Sequence, residues 1–369
     1  MTVSTIQKRT DFNNEPTAQF GFVYGLDGLR LLAVTIVVVR HFDILEIMPG
    51  GFGVSIFFFI SGFLITRLLL AEEKTHGKIA LGNFYVRRFI RLLPPLLLFG
   101  VVAVPVLAAL KPAEVAPNQI VMSFLYLGNF SELTATFFGW PRGWGELGPL
   151  WSLAVEEQFY ILLPPLLLLI RGVRARLVAV CAALVIPLVL RVTFFATLDS
   201  DLADSLNYLS TPTRLDALGW GVLLTLLLDA KVLRAPRKSW VSHSLVIGGC
   251  ILMFASLVHW SDIYEYAIKY TPQSIAIGLT FLGVIFAPQY AWLRAILEWK
   301  PISYLGRISY EIYLWHSLLF TIAVIAIPDF PLAVLAATGA TILVSSVAYN
   351  LTTKRLRGLR KRFGGHPVQ

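Results

Sequence analysis

Long apolar runs dominate this chain. Most of them approach about 20 residues, the length that a helix needs to cross the hydrocarbon core of a bilayer. One of them, Asn118–Phe130, is too short to span. The pattern predicts an all-α integral membrane protein. The apolar stretches are Leu29–Ile47, Phe52–Ala71, Phe84–Leu110, Asn118–Phe130, Pro149–Ile170, Arg176–Thr197, Arg214–Ala230, Val241–Trp260, Thr271–Pro288, Ser303–Ile327 and Pro331–Thr352.

The basic residues decide the topology. If Asn118–Phe130 does not cross, nearly all Lys and Arg clusters fall on one side, which the positive-inside rule assigns to the cytoplasm. We therefore predict ten transmembrane helices, residues 24–352, between cytoplasmic tails 1–23 and 353–369. The outer loop 111–148 then holds a short re-entrant or surface helix. Its Gly- and Trp-rich part, 138–145, could be a lid or a plain cap.

Composition agrees with a membrane bundle. Of 369 residues, 56% are hydrophobic and only 14% are charged, whereas a soluble domain carries about 25% charged residues. The topology explains the net charge of +9, so we expect no nucleic-acid partner. Cys181 and Cys250 lie in apolar runs and are expected to pack between helices, without a disulfide or a metal site.

Several charged residues interrupt the apolar runs. A charge inside a membrane helix is costly and usually faces the bundle interior or a cavity. Arg30 and His41 are eleven residues apart, close to three turns, and so share one face of the first helix. Arg88 and Arg91 stand at i and i+3 near the cytoplasmic start of the third helix and project together.

A second polar tier lies deeper. Glu156, on the fifth helix, is about 10 Å below the outer surface, at a depth similar to that of His41. His316 lies in the same zone, somewhat nearer the midplane. Arginines suit bidentate phosphate binding, and a histidine beside a carboxylate suits proton abstraction from a hydroxyl. Acyl-coenzyme A would fit this arrangement, with its phosphorylated head at the arginines and its acyl group at the deeper His and Glu residues. Alternatively, the arginines could be topology anchors and each histidine a structural residue.

Five motifs, in order along the chain, resemble those of the acyltransferase 3 family of bacterial membrane acyltransferases. The resemblance runs from Tyr24 to about Asn350. A single motif would be weak, but five in order at matching helices are specific. The motifs are Gly25–Arg30 followed by His41, Gly51–Ile65, Phe84–Pro94 with its Arg-x-x-Arg, Trp151–Tyr160, and Leu305–His316.

The resemblance implies O-acyl transfer, most simply of acetyl, from acyl-CoA to a sugar hydroxyl of an exported or cell-envelope polysaccharide or its lipid-linked precursor. It assigns His41 as the proton-handling residue, assisted in our hypothesis by Glu156, and Arg30, Arg88 and Arg91 to donor binding. It places the protein in a bacterial inner membrane, with glycan-assembly proteins as possible partners. Because no soluble hydrolase-like domain is present, the bundle is expected to act alone or with a separate partner. Candidate site-lining residues are Arg67, Ser61, Trp151, Ser152, Tyr160, Ser309, Tyr313 and His316.

Alternatives remain open at this point. The acceptor could be a small glycoside such as a macrolide. The bundle could be a glycan transporter or flippase, although its two halves show no repeat. A covalent acyl-enzyme is open because Ser61, Ser152 and Ser309 also lie in the bundle. We expect no permanently bound cofactor, with acyl-CoA as co-substrate.

Overall fold

A computed structural model describes residues 23–45, 50–112, 116–139 and 145–363, and within these ranges every regular element is helical. Residues 1–22 of the predicted tail 1–23, most of the Gly- and Trp-rich part of the loop 111–148, and residues 364–369 lie outside them. The α-helices, numbered α1 to α16 in order, are Leu26–His41, Gly50–His76, Leu81–Leu110, Pro117–Phe124, Ser131–Phe138, Leu150–Leu169, Val173–Thr197, Ser200–Leu209, Thr211–Asp229, Ser239–Leu257, Tyr270–Ile285, Ala291–Leu297, Lys300–Arg307, Ser309–Ala326, Phe330–Tyr349 and Arg357–Lys361.

Seven helices in the described part of the chain are long and apolar enough to cross a membrane. An eighth span results if Tyr270–Ile285 and Pro288–Leu297, which meet at an 82° bend, are counted as one broken helix. The chain is therefore a multi-pass membrane protein. The seven are Gly50–His76, Leu81–Leu110, Leu150–Leu169, Val173–Thr197, Ser239–Leu257, Ser309–Ala326 and Phe330–Lys354.

Two predicted spans fall short of the length and hydropathy that a crossing helix needs. Helix α1 has only 16 residues. Helix α9 carries Arg214 and Asp216, both 1% exposed inside the bundle. Asp216 accepts a hydrogen bond from the fully buried Arg191 at 2.8 Å, and the Arg214 guanidinium lies 4.2 Å from the centre of the Tyr270 ring. The predicted count of ten transmembrane helices is thus not confirmed, because α1 is short and the buried Arg214 and Asp216 lower the hydropathy of α9.

Close helix packing explains one of the sequence motifs. Helix α2 crosses α9 where Gly62 faces the backbone of Leu218, and Gly221 faces the backbone of Phe59. A Cβ at either glycine would overlap that backbone, so the two helices approach closely only because both positions are glycine. This contact fixes the neighbouring Ser61 relative to the centre of the bundle.

The segment between α3 and α6 folds back against the bundle. Helix α4, Pro117–Phe124, has eight residues and is too short to span, as predicted. Gln158, about 12 Å along α6 from its N-terminal end, donates to the Tyr126 carbonyl at 2.8 Å and to Asn129 Oδ1 at 3.0 Å. Asn129 in turn donates to the Thr211 hydroxyl at 2.9 Å. This polar network holds the segment at depth, which favours the re-entrant form of the prediction.

Two proline pairs, Pro94–Pro95 and Pro164–Pro165, lie inside the continuous helices α3 and α6. Pro165 has no N–H, so the carbonyl of Ile161 loses its helical partner. The hydroxyl of Tyr85 donates to that carbonyl at 3.0 Å. Satisfaction by a neighbouring helix is what permits proline in a membrane helix.

Candidate active site

A cavity of about 710 Å³, including its open mouth, lies among α1, α2, α3, α6 and α14. Nine of the predicted site residues line it, and Tyr310 joins them. Such a polar lining within an apolar bundle is costly unless the cavity takes up a polar ligand or water. The polar residues that line it are Arg30, Ser61, Arg88, Arg91, Ser152, Glu156, Tyr160, Ser309, Tyr310 and Tyr313.

Three arginines share one wall of the cavity. Arg88 and Arg91 lie on one face of α3, as their i, i+3 spacing predicts. The Arg88 guanidinium stacks 4.4 Å from the centre of the Tyr160 ring. Arg30 of α1 pairs with Asp27 at 3.4 Å, and Asp27 also accepts from Ser303 at 3.3 Å. The cations are thus held in place by aromatic and acidic neighbours while their remaining donors face the cavity.

Glu156 lies deeper in the cavity. Its Oε1 accepts hydrogen bonds from the hydroxyls of Ser61 and Tyr160. These bonds join α2 to α6 around one carboxylate. The contact places a nucleophile-type hydroxyl, that of Ser61, directly on a basic group.

Tyr313 marks the far end of the cavity. Its hydroxyl lies 2.6 Å from Ser152 Oγ and donates to the Pro149 carbonyl at 2.8 Å. Its ring centre is 5.6 Å from that of His316 on the next turn of α14. Tyr313 therefore connects the cavity to the histidines.

The two predicted histidines form a pair. His41 Nδ1 and His316 Nε2 are 2.7 Å apart, and the rings are nearly parallel. His316 is fully buried, whereas His41, the last residue of α1, is exposed. The partner of His41 is thus His316 and not Glu156. Among the described residues, hydrogen bonds to the Glu156 side chain come from Ser61 and Tyr160.

Hydrogen bonding fixes the tautomer of this pair when both rings are neutral. The Tyr313 carbonyl can only accept, so His316 Nδ1, 2.8 Å away, carries the hydrogen. His316 Nε2 is then the acceptor, and His41 Nδ1 must donate to it. The lone pair of His41 is left on Nε2. His316 therefore orients His41 in the way that a carboxylate orients histidine in other acid–base sites.

The outer loop is clamped beside this pair. Glu146 accepts from Lys111 Nζ at 3.0 Å and from Ser317 Oγ at 2.6 Å, so it joins the two ends of the loop to α14. Burial alone would raise the pKa of Glu146, but hydrogen bonds from Ser317, Thr321 and Lys111 lower it. An ionised carboxylate therefore lies within electrostatic range of His41.

Two predicted lining residues are placed elsewhere. Arg67, two residues beyond the cavity-lining Ile65 on α2, is half-buried within electrostatic range of Asp229 and lies outside the described cavity lining. Trp151 packs edge-on against Phe58, with ring centres 6.2 Å apart, and tilted against Tyr208, with ring centres 4.9 Å apart. Both residues support the fold of the bundle around the cavity.

Sequence reasoning missed Tyr310, although its signal was present. Tyr310 and Tyr313 are spaced i, i+3, so they share the face of α14 that lines the cavity. The Tyr310 hydroxyl donates to the Leu92 carbonyl at 3.0 Å. Val54, Ser61 and Ile65 on α2 follow the same helical rule at i, i+7 and i+11.

The fold and cavity define a multi-pass membrane protein with an arginine-lined cavity that ends beside a pair of histidines. Among the described residues, no group of three or more His, Cys, Asp or Glu side chains could hold a metal ion. The model of the acyltransferase 3 family, an acyltransferase domain, matches residues 23–350. The chain belongs to this family, and it is an acyltransferase.

The names of two similar proteins agree with this family. The putative peptidoglycan O-acetyltransferase YrhL of Bacillus subtilis is 34% identical over 322 residues, which are 81% of this chain and 49% of that protein. The peptidoglycan O-acetyltransferase OatA of Listeria monocytogenes is 32% identical over 319 residues, 82% of this chain and 50% of that protein. The chain spans about half the length of these relatives. No solved structure matches it.

Proposed function

We propose that the protein transfers an acetyl group from acetyl-CoA to a hydroxyl of a cell-wall carbohydrate polymer. The observation that carries this proposal is one cavity with Arg30, Arg88 and Arg91 on its wall and Tyr313 at its far end, next to the His41–His316 pair. Acetyl-CoA has the matching shape, because its charged phosphates are separated from the thioester by a long arm. Family membership favours this chemistry over the transporter alternative.

At the donor end, the three arginines are suited to phosphate. Their guanidinium groups offer several N–H donors in a fixed plane, and phosphate oxygens accept them bidentately. Within the described residues only Arg30 of the three makes a salt bridge, to Asp27. Arg88 and Arg91 therefore keep donors for a ligand. These features support the cavity wall as the binding site for the donor.

The proton step uses the histidine pair. His41 Nε2 takes the proton from the acceptor hydroxyl while His316 holds Nδ1. The acceptor oxygen attacks the thioester carbonyl carbon, the new C–O bond forms, and the C–S bond breaks. The sulfur leaves as the CoA thiolate, which the proton from His41 then neutralises. The ionised Glu146 nearby favours the transient imidazolium.

The acceptor side follows from the proposed topology. We place both termini in the cytoplasm of a bacterium and count ten crossings of the inner membrane, with α1 and α9 as short or polar spans. His41 then lies towards the outer face, where a wall polymer would approach beneath the outer loop. The names of the relatives favour peptidoglycan as the first acceptor to test. A small glycoside is the alternative.

A covalent route within the same function is favoured by the Ser61–Glu156 hydrogen bond. Glu156 would accept the Ser61 proton, and the serine oxygen would attack the thioester carbonyl, so that the C–S bond breaks and the CoA thiolate leaves. The acceptor hydroxyl would then give its proton to His41 and attack the serine ester, and Ser61 would leave and regain its proton from Glu156. Intact-mass measurement after incubation with acetyl-CoA alone separates the two routes. An acetyl adduct that disappears in Ser61→Ala would support the covalent route, and an unmodified native chain would support direct transfer.

The main experiment uses the protein purified in detergent. Free thiol released from acetyl-CoA is followed with and without peptidoglycan glycan strands, for the native chain and for His41→Ala. We expect acceptor-dependent release that falls by about a hundredfold or more in His41→Ala, since positioned bases contribute rate factors of this order. His259→Ala is the matched control, because His259 is exposed and pairs with the neighbouring, exposed Asp262 at 3.6 Å.

Two outcomes would contradict the proposal. Acceptor-dependent release that survives in His41→Ala would remove His41 from the proton step. Absence of release from acetyl-CoA with glycan strands and small glycosides alike, in a preparation that is folded by thermal unfolding, would contradict acetyl-CoA as the donor.

A further inference from the structure

The chain beyond α15 turns back against α3. A π-helical turn, Asn350–Lys354, follows α15, and the Thr353 hydroxyl donates to Glu311 Oε1 of α14 at 2.7 Å. The short helix α16, Arg357–Lys361, then packs against α3. The C-terminal segment 350–363 therefore lies along the helix that carries Arg88 and Arg91.

Arg87 ties this segment down. Its Nη1 donates to the carbonyl of Phe363 at 2.7 Å, and its Nη2 donates to Glu72 at 2.9 Å. The Arg87 and Glu72 side chains are 15% and 8% exposed, so this ion pair is largely shielded from water. Arg87 thus serves as an anchor for the tail, while its neighbour Arg88 faces the cavity.

Arg360 occupies the inward face of the anchored segment. It is half-buried, whereas Arg357, Lys361 and Arg362 around it are exposed. Burial, and then the charges of Arg91 and Arg88, lower the pKa of Arg360 to about 10. The Arg360 guanidinium therefore lies within electrostatic range of Arg91 and Arg88, and both of these arginines line the cavity.

This grouping is unfavourable without an anion. Like charges brought together in a partly desolvated site repel one another. Among the described residues, neither Arg88, Arg91 nor Arg360 makes a salt bridge within 4.0 Å. Glu156 and Glu157 lie within electrostatic range of Arg88, but neither forms a salt bridge with it among the described residues, so the arginine donors remain for a multiply charged phosphate ligand.

We propose that the C-terminal segment is a strap across the donor end of the cavity, and that Arg360 binds the nucleotide phosphates of the acyl-CoA donor together with Arg88 and Arg91. The proposal rests on the proposed donor. The family match ends at residue 350, so family membership does not assign this role.

The test measures CoA binding to the purified full chain by calorimetry. We expect Arg360→Ala and Arg360→Gln to raise the Kd for CoA by about tenfold, the effect of one lost charge-assisted hydrogen bond. Arg355→Ala is the matched control, since Arg355 is an exposed arginine of the same segment. It should stay within about twofold of the native Kd. Acetyl-pantetheine, a donor without phosphates, should be turned over equally by all of these proteins.

The outcomes separate this role from structural effects and from the donor itself. A native-like Kd in both Arg360 variants would overturn the strap. An equal loss with acetyl-pantetheine would also overturn it, because the tail would then be acting on the fold. If the native chain does not bind CoA, both the proposed donor and the proposed strap are wrong. Native CoA binding with unaffected variants would overturn the strap alone.

Discussion

His316 is expected to act on the reaction only through His41. Its Nε2 accepts from His41 Nδ1 at 2.7 Å, and its Nδ1 donates to the Tyr313 carbonyl at 2.8 Å. His316→Leu places an apolar side chain in this fully buried position and removes the hydrogen-bond acceptor for His41 Nδ1. His316→Gln can still present an amide oxygen to His41.

The expected size of the effect follows from one hydrogen bond. A lost bond that leaves a partner unpaired costs about 1 to 3 kcal/mol, or roughly 5- to 150-fold in rate. We therefore expect kcat of His316→Leu to fall within that range and His316→Gln to stay within about tenfold of the native chain. KM for acetyl-CoA should not change, because His316 lies outside the described lining of the cavity.

The assay is acceptor-dependent thiol release over a range of acetyl-CoA concentrations, with thermal unfolding to confirm that each variant is folded. His259→Leu, at an exposed histidine, is the control. A native kcat in His316→Leu would refute the role of His316 in orienting His41. So would an equal fall in His316→Gln and His316→Leu, since that result would reflect packing and not the acceptor.

Three further predictions address the cavity, the packing and the loop. Arg88→Ala should raise KM for acetyl-CoA about tenfold with kcat little changed, whereas Arg174→Ala, at an exposed position, should leave both unchanged in steady-state kinetics. Gly62→Ala should lower the unfolding free energy by about 1 to 3 kcal/mol, seen as a lower Tm, whereas Gly248→Ala, with open space around it, should not. Glu146→Gln should lower Tm at neutral pH. The pKa of Glu146 is lowered in the folded protein, so its carboxylate stabilises the fold above the usual glutamate pKa. This stabilisation is lost as the pH falls through the folded pKa. The Tm difference between Glu146→Gln and the native chain should therefore vanish in acid.

Spacing along single helices predicted much of the cavity. The i, i+3 rule placed Arg88 and Arg91 together, and both line the cavity with Glu156. Such spacing describes one helix at a time. It gives the face and the approximate depth of a residue, so residues on the same helix were paired more reliably than residues on different helices.

The partner of His41 shows where this reasoning fails. Depth along the chain placed His41, Glu156 and His316 at one level, but depth does not say which helices are neighbours. Helix α14 packs against α1, and this contact brings His316 to His41. Glu156 instead faces α2 and meets Ser61.

The predicted number of spans illustrates a related limit. The stretch 214–230 reads as an apolar run, yet Arg214 and Asp216 point into the bundle, where Asp216 pairs with Arg191. Apolar runs reveal helices that face lipid. They are less informative for a central helix whose charges are satisfied by its neighbours, because such a helix needs no uniformly apolar surface.

We propose that the bundle carries an acetyl group from a donor at its arginine end to an acceptor at its histidine end. The direct measurement uses proteoliposomes with the protein in one verified orientation and isotope-labelled acetyl-CoA supplied on a single side. Soluble glycan strands are supplied on the other side, and their O-acetyl esters are measured by mass spectrometry. We predict labelled esters when the donor is on the side of residues 354–363 and the glycan is opposite, and their loss in His41→Ala. Labelling only when donor and glycan share one side would contradict the claim.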